Sequence, residues 1–357
     1  MSRSSGTDVL ITVSGEIPTD VETAIARGVR PRADYLELAR TLRADVLDFK
    51  GARAQTGKFG GLLEKVAGPQ AVLSWASFRS RRDYDVIFTD GEQIGLPLAC
   101  LLRLRRGRPV RLAMIGHVLS TRPKILLHKM FRLAHHIDLL LVYATAQQRF
   151  ATGPLRVPDS RVVRTPFMVD TSFFEPAAVR ANPTRMICAV GLERRDYPTL
   201  LAAVEGLDVQ VVIAAGSPWS SWRDTSRGEV LPSNVEVCTL DFVGLRQLYA
   251  DALFVVVPLE NTDFQAGITT ILEAMAMERA VICSSASGQT DTIEDGKTGV
   301  YIPPGDAASL RRAISALLAD PDAARRMGQA GRRWVEREAD ISKYAEHISA
   351  LVLGLVR

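Results

Sequence analysis

The sequence predicts an α/β protein built from two open, doubly wound parallel sheets. Three observations carry that prediction. Short β-branched runs alternate with helix-compatible stretches from Val9 to Val142, the same alternation resumes at Met186 and continues to Glu336, and a Pro- and Phe-rich segment from Pro166 to Pro176 separates the two series. A chain of 357 residues is long enough for two domains that each bury a core. Right-handed crossovers then place helices on both faces of each sheet.

In the first series the apolar runs are Val9 to Val13, Pro31 to Leu42, Val46 to Phe49, Gln70 to Phe78, Val86 to Thr89, Gly95 to Leu104, Val110 to Ile115, Lys124 to His135 and Leu139 to Val142. Ligands of such sheets bind beyond the carboxyl ends of strands, which directs attention to Ser14-Gly15-Glu16, Asp90-Gly91-Glu92, Gly116-His117 and Ala144-Thr145. After the linker and a turn at Asn182-Pro183, the second series reads as strand Met186 to Val190, helix Pro198 to Glu205, strand Val209 to Ala214, helix Leu245 to Asp251 and strand Leu253 to Val257. Asp306 and Asp320 stand as N-caps before the amphipathic runs Ala307 to Leu318 and Ala323 to Glu336. The expected division is 1–172, 183–336 and a closing helix within 337–357.

Composition excludes several classes. Hydrophobic residues at 47% with 24% charged residues exclude disorder. The run Val9 to Val13 is too short for a secretory signal or a membrane span, and Cys100, Cys188, Cys238 and Cys283 lie far apart beside apolar runs, which predicts buried thiols and a cytoplasmic setting. No P-loop, H-E-x-x-H pair, zinc spacing or Asp-x-Asp clamp occurs, so nucleotide hydrolysis and metal catalysis have no support. The net charge of +4 divides into +10 over residues 1–170 (26 Lys and Arg against 16 Asp and Glu) and −6 over 171–357 (18 against 24). Between Glu92 and Asp138 no acid occurs, while Arg103, Arg105, Arg106, Arg108, Arg111, Arg122, Lys124, Lys129 and Arg132 do. That stretch is either a solvated face or a surface for an anionic partner.

The most informative stretch is Asp263 to Ser284. A loop containing Ala266 and Gly267 enters a helical run from about Ile268 to Met277, which passes into a β-branched strand at Ala280 to Cys283. A helix start leaves about four N–H groups without partners, so the donors of Gly267, Ile268, Thr269 and Thr270 suit a phosphate. Glu273, further into the helix, suits the vicinal hydroxyls of a ribose. Read otherwise, Ile268, Ile271, Leu272 and Met275 are simply the core face of an amphipathic helix.

With the following Gly288, Asp295-Gly296, Thr298-Gly299 and Pro303-Pro304-Gly305, this region resembles the donor site of retaining glycosyltransferases of family 4, which have the GT-B fold of two Rossmann-like domains facing a cleft. The resemblance covers Met186 to Glu336 and the first half in outline; it implies a last helix that returns to the first domain, here Ile341 to Val356. The family's paired glutamates, with seven residues between, stand here as Gln265 and Glu273, and Glu278 and Ala280 replace a Gly and a Pro. The resemblance implies that Gln265 meets sugar hydroxyls through its amide, that Arg194 and Arg195 serve the diphosphate although Leu192 occupies the usual Arg place, and that His117 reaches the transferred sugar and its phosphate. Gly15 stands where the family places paired glycines near donor and acceptor, and Thr239 to Val243 is expected to flank the base.

The implied activity is transfer of a sugar, with retention, from a nucleotide-diphosphate sugar to an acceptor hydroxyl, with no metal and no further cofactor. The acceptor is a lipid, a saccharide or a small natural product rather than a nucleic acid. Were Lys124 to Leu133 an amphipathic surface helix, it would bring the protein to an anionic membrane at its cytoplasmic face. A nucleotide-sugar epimerase on the same scaffold and a non-catalytic nucleotide-sugar-binding protein are the rival readings, and Gln265 speaks for the second.

Overall fold

The computed structural model describes residues 8–103, 110–182, 184–215 and 231–356. They form two compact units. Unit 1 comprises the described parts of Met1–Thr23, Arg32–Thr165 and Ser342–Arg357; unit 2 comprises Ala24–Pro31 and Pro166–Ile341.

Unit 1 is a six-stranded parallel sheet of β1 (Val9–Thr12), β2 (Asp45–Leu47), β3 (Val86–Thr89), β4 (Arg111–Gly116), β5 (Leu139–Val142) and β6 (Val162–Arg164), in the order β2-β1-β3-β4-β5-β6. The chain winds one way from β1 and the other way from β3, so the switch point lies between those two strands. Its helices are α1 (Val21–Ala26), which runs across the unit boundary, α2 (Asp34–Leu42), α3 (Phe49–Ser80), α4 (Glu92–Arg103), α5 (Arg122–Phe131) and α6 (Thr145–Thr152). The sequence pattern showed only Gln70 to Phe78 of α3. Gly57, Gly60, Gly61 and Gly68 with Pro69 argue against helix locally, and the chain accommodates them with left-handed breaks at Gly57 (φ 56°) and Gly68 (φ 81°), so that three helical pieces run on from one another.

Unit 2 carries β7 (Met186–Val190), β8 (Gln210–Ala214), β9 (Val235–Cys238), β10 (Phe254–Val257), β11 (Ala280–Ser284) and β12 (Gly299–Ile302), all parallel, in the order β12-β11-β10-β7-β8-β9. Here the winding reverses between β7 and β10. The helices are α7 (Tyr197–Val204), α8 (Phe242–Asp251), α9 (Ile268–Ala276), α10 (Ala307–Ala319) and α11 (Pro321–Glu338), followed by α12 (Ile341–Leu353), which from Ser342 onward belongs to unit 1. Near-continuous Val, Ile, Ala and Cys in β7, β10 and β11 are buried because helices cover both faces, giving two cores on this sheet and one large core in unit 1. Asp196, Asp241, Asp306 and Asp320 each accept a hydrogen bond from a first-turn N–H of α7, α8, α10 and α11, which fixes where those helices begin.

Within unit 2, α11 anchors the end of α9. The Arg332 guanidinium, 8% exposed, donates to the carbonyls of Ala276 (2.8 Å), Phe174 (2.7 Å) and Thr171 (3.2 Å), and it is paired with Glu175 and Glu336. Three buried carbonyls that no helix or strand satisfies are thus held by one cation. Cys188 and Cys283 are buried as expected, whereas Cys100 and Cys238 are only half-buried because their runs lie at the margins of the cores. No helix among the described residues is long and apolar enough to cross a membrane.

Candidate functional site

In unit 2 the site forms at the carboxyl ends of β7 and β10, where the sheet reverses. Gly267 takes a left-handed φ of 76° as the N-cap of α9 and offers no side chain to the helix start. Ile271 is the first residue whose N–H returns to a carbonyl, that of Gly267 at 3.1 Å, so the donors of Ile268, Thr269 and Thr270 point forward out of the helix. Thr269 is exposed, while Ile268 and Thr270 are buried. A Cβ on Gly267 would lie 2.8 Å from Val257 Cγ1, so position and conformation both require glycine there.

Arg195 closes the site from behind. It is 3% exposed, and its guanidinium donates to Val190 O (2.8 Å), Glu193 O (2.8 Å) and Thr270 Oγ1 (3.0 Å). Its NH1 is 3.3 Å from where a Gly267 Cβ would stand, and its NH2 2.5 Å from where a Gly191 Cβ would stand, so the planar group is sandwiched by two left-handed glycines. The sequence suggested an arginine reaching out to a diphosphate; in the structure the Arg195 guanidinium lies buried in the wall beneath the helix start and bonds protein groups. Arg194, left-handed at φ 54°, turns outward to an exposed ion pair with Glu260 at 2.9 Å. Arg195, Gly267 and Thr270 are therefore brought together, and Arg194 stands apart from them.

Gln265 is 9% exposed, and its Oε1 is buried with no hydrogen-bond partner among the described residues. A buried acceptor without a partner is uncommon in folded proteins. The loop that holds it is braced by Gly288, already noted in the sequence, and by Gln289, which the sequence did not single out. Gln289, fully buried, donates to Ala266 O at 2.9 Å, and Gly288 lies so close to Phe264 that a Cβ would come within 2.3 Å of its nitrogen. Glu273 is 7% exposed and accepts the Tyr249 hydroxyl at Oε2 (2.9 Å). Burial pushes its carboxyl up to about 7, against the lowering influence of the Tyr249 hydrogen bond and of Arg195. Tyr249 and Gln289 carry no motif; only their burial and partners reveal them.

Unit 1 has its own polar cluster at the strand ends on either side of its switch point. His117 follows β4; its Nε2 donates to Asp90 O (2.8 Å), which fixes the proton on that nitrogen, and its ring packs on Tyr143 at 5.6 Å between centroids. The Tyr143 hydroxyl is hydrogen-bonded to that of Tyr344 on α12 (2.9 Å). Asp90 bridges β3 to the turn after β1, accepting from Ser14 N (2.5 Å) and Ser14 Oγ (2.7 Å), and burial raises its carboxyl to about 6. Asp34 at the start of α2 is also raised by burial. Gly15 lies in this turn with open space where a side chain would be, so no contact there demands glycine; Glu16 beside it pairs with Arg53 of α3.

The basic stretch is only partly as the sequence suggested. Arg105, Arg106 and Arg108 lie outside the described residues. On α5, Leu126 and Met130 are 65% and 60% exposed beside exposed Arg122 and Lys129, yet Lys124 turns inward to Glu92 at 2.6 Å, because a buried carboxylate at the start of α4 needs a cation.

Part of the second unit is similar to a known family. Residues 190–320 match the family model described as "Glycosyl transferases group 1". Over this stretch the chain is similar to that family. The stretch contains Arg194, Arg195, Gln265, Gly267 and Glu273. Among characterised relatives, the chain is 41% identical over 63 residues to the GDP-mannose-dependent alpha-(1-6)-phosphatidylinositol monomannoside mannosyltransferase of Mycolicibacterium smegmatis (18% of this chain, 16% of that one). It is 32% identical over 158 residues to the alpha-maltose-1-phosphate synthase of the same organism (39% of each chain). The matches thus span well under two thirds of these relatives. Solved structures align along nearly the whole chain: sucrose-phosphate synthase from Thermosynechococcus elongatus (19% identity, TM-score 0.70, covering 97% of this chain and 98% of that one) and Anabaena HepE in complex with UDP and glucose (15% identity, TM-score 0.71, 97% and 99%). At these identities the likeness is one of fold, and the fold is GT-B: two parallel six-stranded sheets, each flanked by helices.

Proposed function

We propose that this chain is a retaining glycosyltransferase of family 4 that uses a nucleotide-diphosphate sugar and needs no metal. The single observation that carries the reading is the buried, unpartnered Oε1 of Gln265, set beside a helix start whose first N–H groups point forward. A sugar hydroxyl would donate to that oxygen, the donors of Ile268, Thr269 and Thr270 would take a phosphate, and Glu273 would accept from ribose hydroxyls. Arg195, held rigidly behind the same helix start, adds positive potential where the leaving diphosphate gathers charge, with no reorganisation needed. Arg194 and Gly15 have lesser parts, and His117 is the residue of unit 1 that serves the transferred sugar. HepE, crystallised with UDP and glucose, supports a donor of this kind.

An epimerase would want acid and base groups around the sugar, and Gln265 supplies neither. The acceptor is a hydroxyl compound, with a lipid favoured by two exposed surfaces of unit 1. On α5, Leu126 and Met130 adjoin Arg122 and Lys129, and on α3, Phe59, Leu62 and Val66 adjoin exposed Lys58 and Lys65, a composition that suits peripheral contact with an anionic membrane on the cytoplasmic side. Calorimetry with UDP-, GDP- and ADP-sugars in EDTA tests the donor site. Micromolar binding of one of them that Gln265→Leu weakens is expected; binding of none would remove the transferase reading and the nucleotide-sugar-binding one together.

A further inference from the structure

We propose that Glu92 and Lys124 are a positioning pair that sets the His117 turn, so that α5 is tied mechanically to a functional residue. The inference rests on the role given to His117 above. Glu92 is the first residue of α4 and is 2% exposed. Its Oε2 accepts the His117 N–H at 2.8 Å, and its Oε1 accepts the Val118 N–H at 3.2 Å and the Lys124 ammonium at 2.6 Å. The same ammonium donates to Val118 O at 2.9 Å. One carboxylate and one ammonium therefore hold three backbone groups of the turn, and Gln147 on α6 takes a fourth, His117 O, at 2.6 Å. The ring is fixed separately, by Asp90 O and Tyr143. Two side chains from different helices, Glu92 and Lys124, thus converge on the backbone of His117 and Val118.

The electrostatics give the pair a distinctive signature. Burial pushes the Glu92 carboxyl up, but the charges of Lys124 and His117 outweigh burial and hold it below the ordinary carboxylate range. Removing Lys124 takes away the largest lowering influence on a buried carboxylate, whose pKa then rises. A protonated Glu92 has an oxygen that no longer accepts, and the His117 or Val118 N–H is left unpaired. The turn would then lose its register in acid and regain it in alkali.

The test is a pH profile of kcat for Lys124→Met, with His117→Ala and Glu92→Gln as references and binding of the nucleoside diphosphate as the check that the protein is folded. The expected result is a kcat lowered roughly 10- to 100-fold near pH 6, as for a small displacement of a reacting group, recovering toward the wild-type value as pH rises, with the donor KM unchanged within about twofold. The double variant Lys124→Met, Glu92→Gln should lack that limb, because its amide does not titrate. A wild-type kcat and profile in Lys124→Met, while His117→Ala is impaired, would overturn the positioning pair and leave the proposed function standing. Full activity of His117→Ala would instead remove the role on which the inference rests.

Discussion

Replacing Glu273 by Gln is predicted to stabilise the ligand-free protein while weakening nucleotide binding. The carboxyl is buried on α9, and its pKa is raised from an ordinary 4.5 to about 7. Because the folded pKa lies above the unfolded one, the folded state binds the extra proton. The stability associated with this group is fully present below about pH 4.5 and is lost as pH rises toward 7. A difference of about 2.5 units corresponds to about 3 kcal/mol of destabilisation above pH 7. An amide does not ionise and can still accept the Tyr249 hydroxyl. The variant should therefore match the wild type near pH 4.5 and exceed it by up to about 3 kcal/mol at pH 8. Binding should move the other way. Ribose hydroxyls meet an amide in place of a carboxylate and lose part of a charge-assisted interaction of about 1.5–3 kcal/mol, roughly a 5- to 30-fold weaker Kd. Urea unfolding at pH 5 and pH 8, with calorimetry of the nucleoside diphosphate at pH 8, measures both quantities. A variant less stable than wild type at pH 8, or one with unchanged nucleotide affinity, would refute the reasoning. Asp90 contributes a pH slope of the same sign, which cancels in the comparison.

Arg195→Ala should lower kcat by two orders of magnitude or more, and it should also cost about 2–3 kcal/mol of stability by removing three hydrogen bonds of a buried guanidinium; a variant of normal rate and stability would contradict both parts. Gln265→Glu should keep donor binding, since a carboxylate accepts from the same hydroxyls, and abolished binding in calorimetry would show the amide to be required. Leu126→Glu with Met130→Glu on α5 should release the protein from anionic liposomes in sedimentation at low salt without changing its Tm, as both positions are exposed; identical pelleting of variant and wild type would remove α5 from any membrane contact.

The doubly wound architecture was legible because its signal is periodic. Buried parallel strands read as Val, Ile and Leu runs, and Asp306 and Asp320 announce their helices in the sequence itself. The start of α9 was legible for a similar reason, since a glycine before a helical run has a local conformational meaning that Gly267 fulfils. What escaped was long-range. The inward turn of Lys124 depends on a carboxylate 32 positions away, the burial of Arg195 on two left-handed glycines, and the setting of Glu273 on Tyr249, none of which leaves a mark at the residue itself. Glycines misled in α3, where Gly57 and Gly68 interrupt a helix without ending it.

Incubating the protein in EDTA with the nucleotide sugar it binds and an acceptor alcohol, and assigning the anomeric configuration of the product by NMR, tests the central claim most directly. The expected product is a glycoside whose anomeric configuration is that of the donor, formed at an undiminished rate without divalent cations. An inverted product, or turnover that appears only on adding Mg²⁺ or Mn²⁺, would contradict that claim.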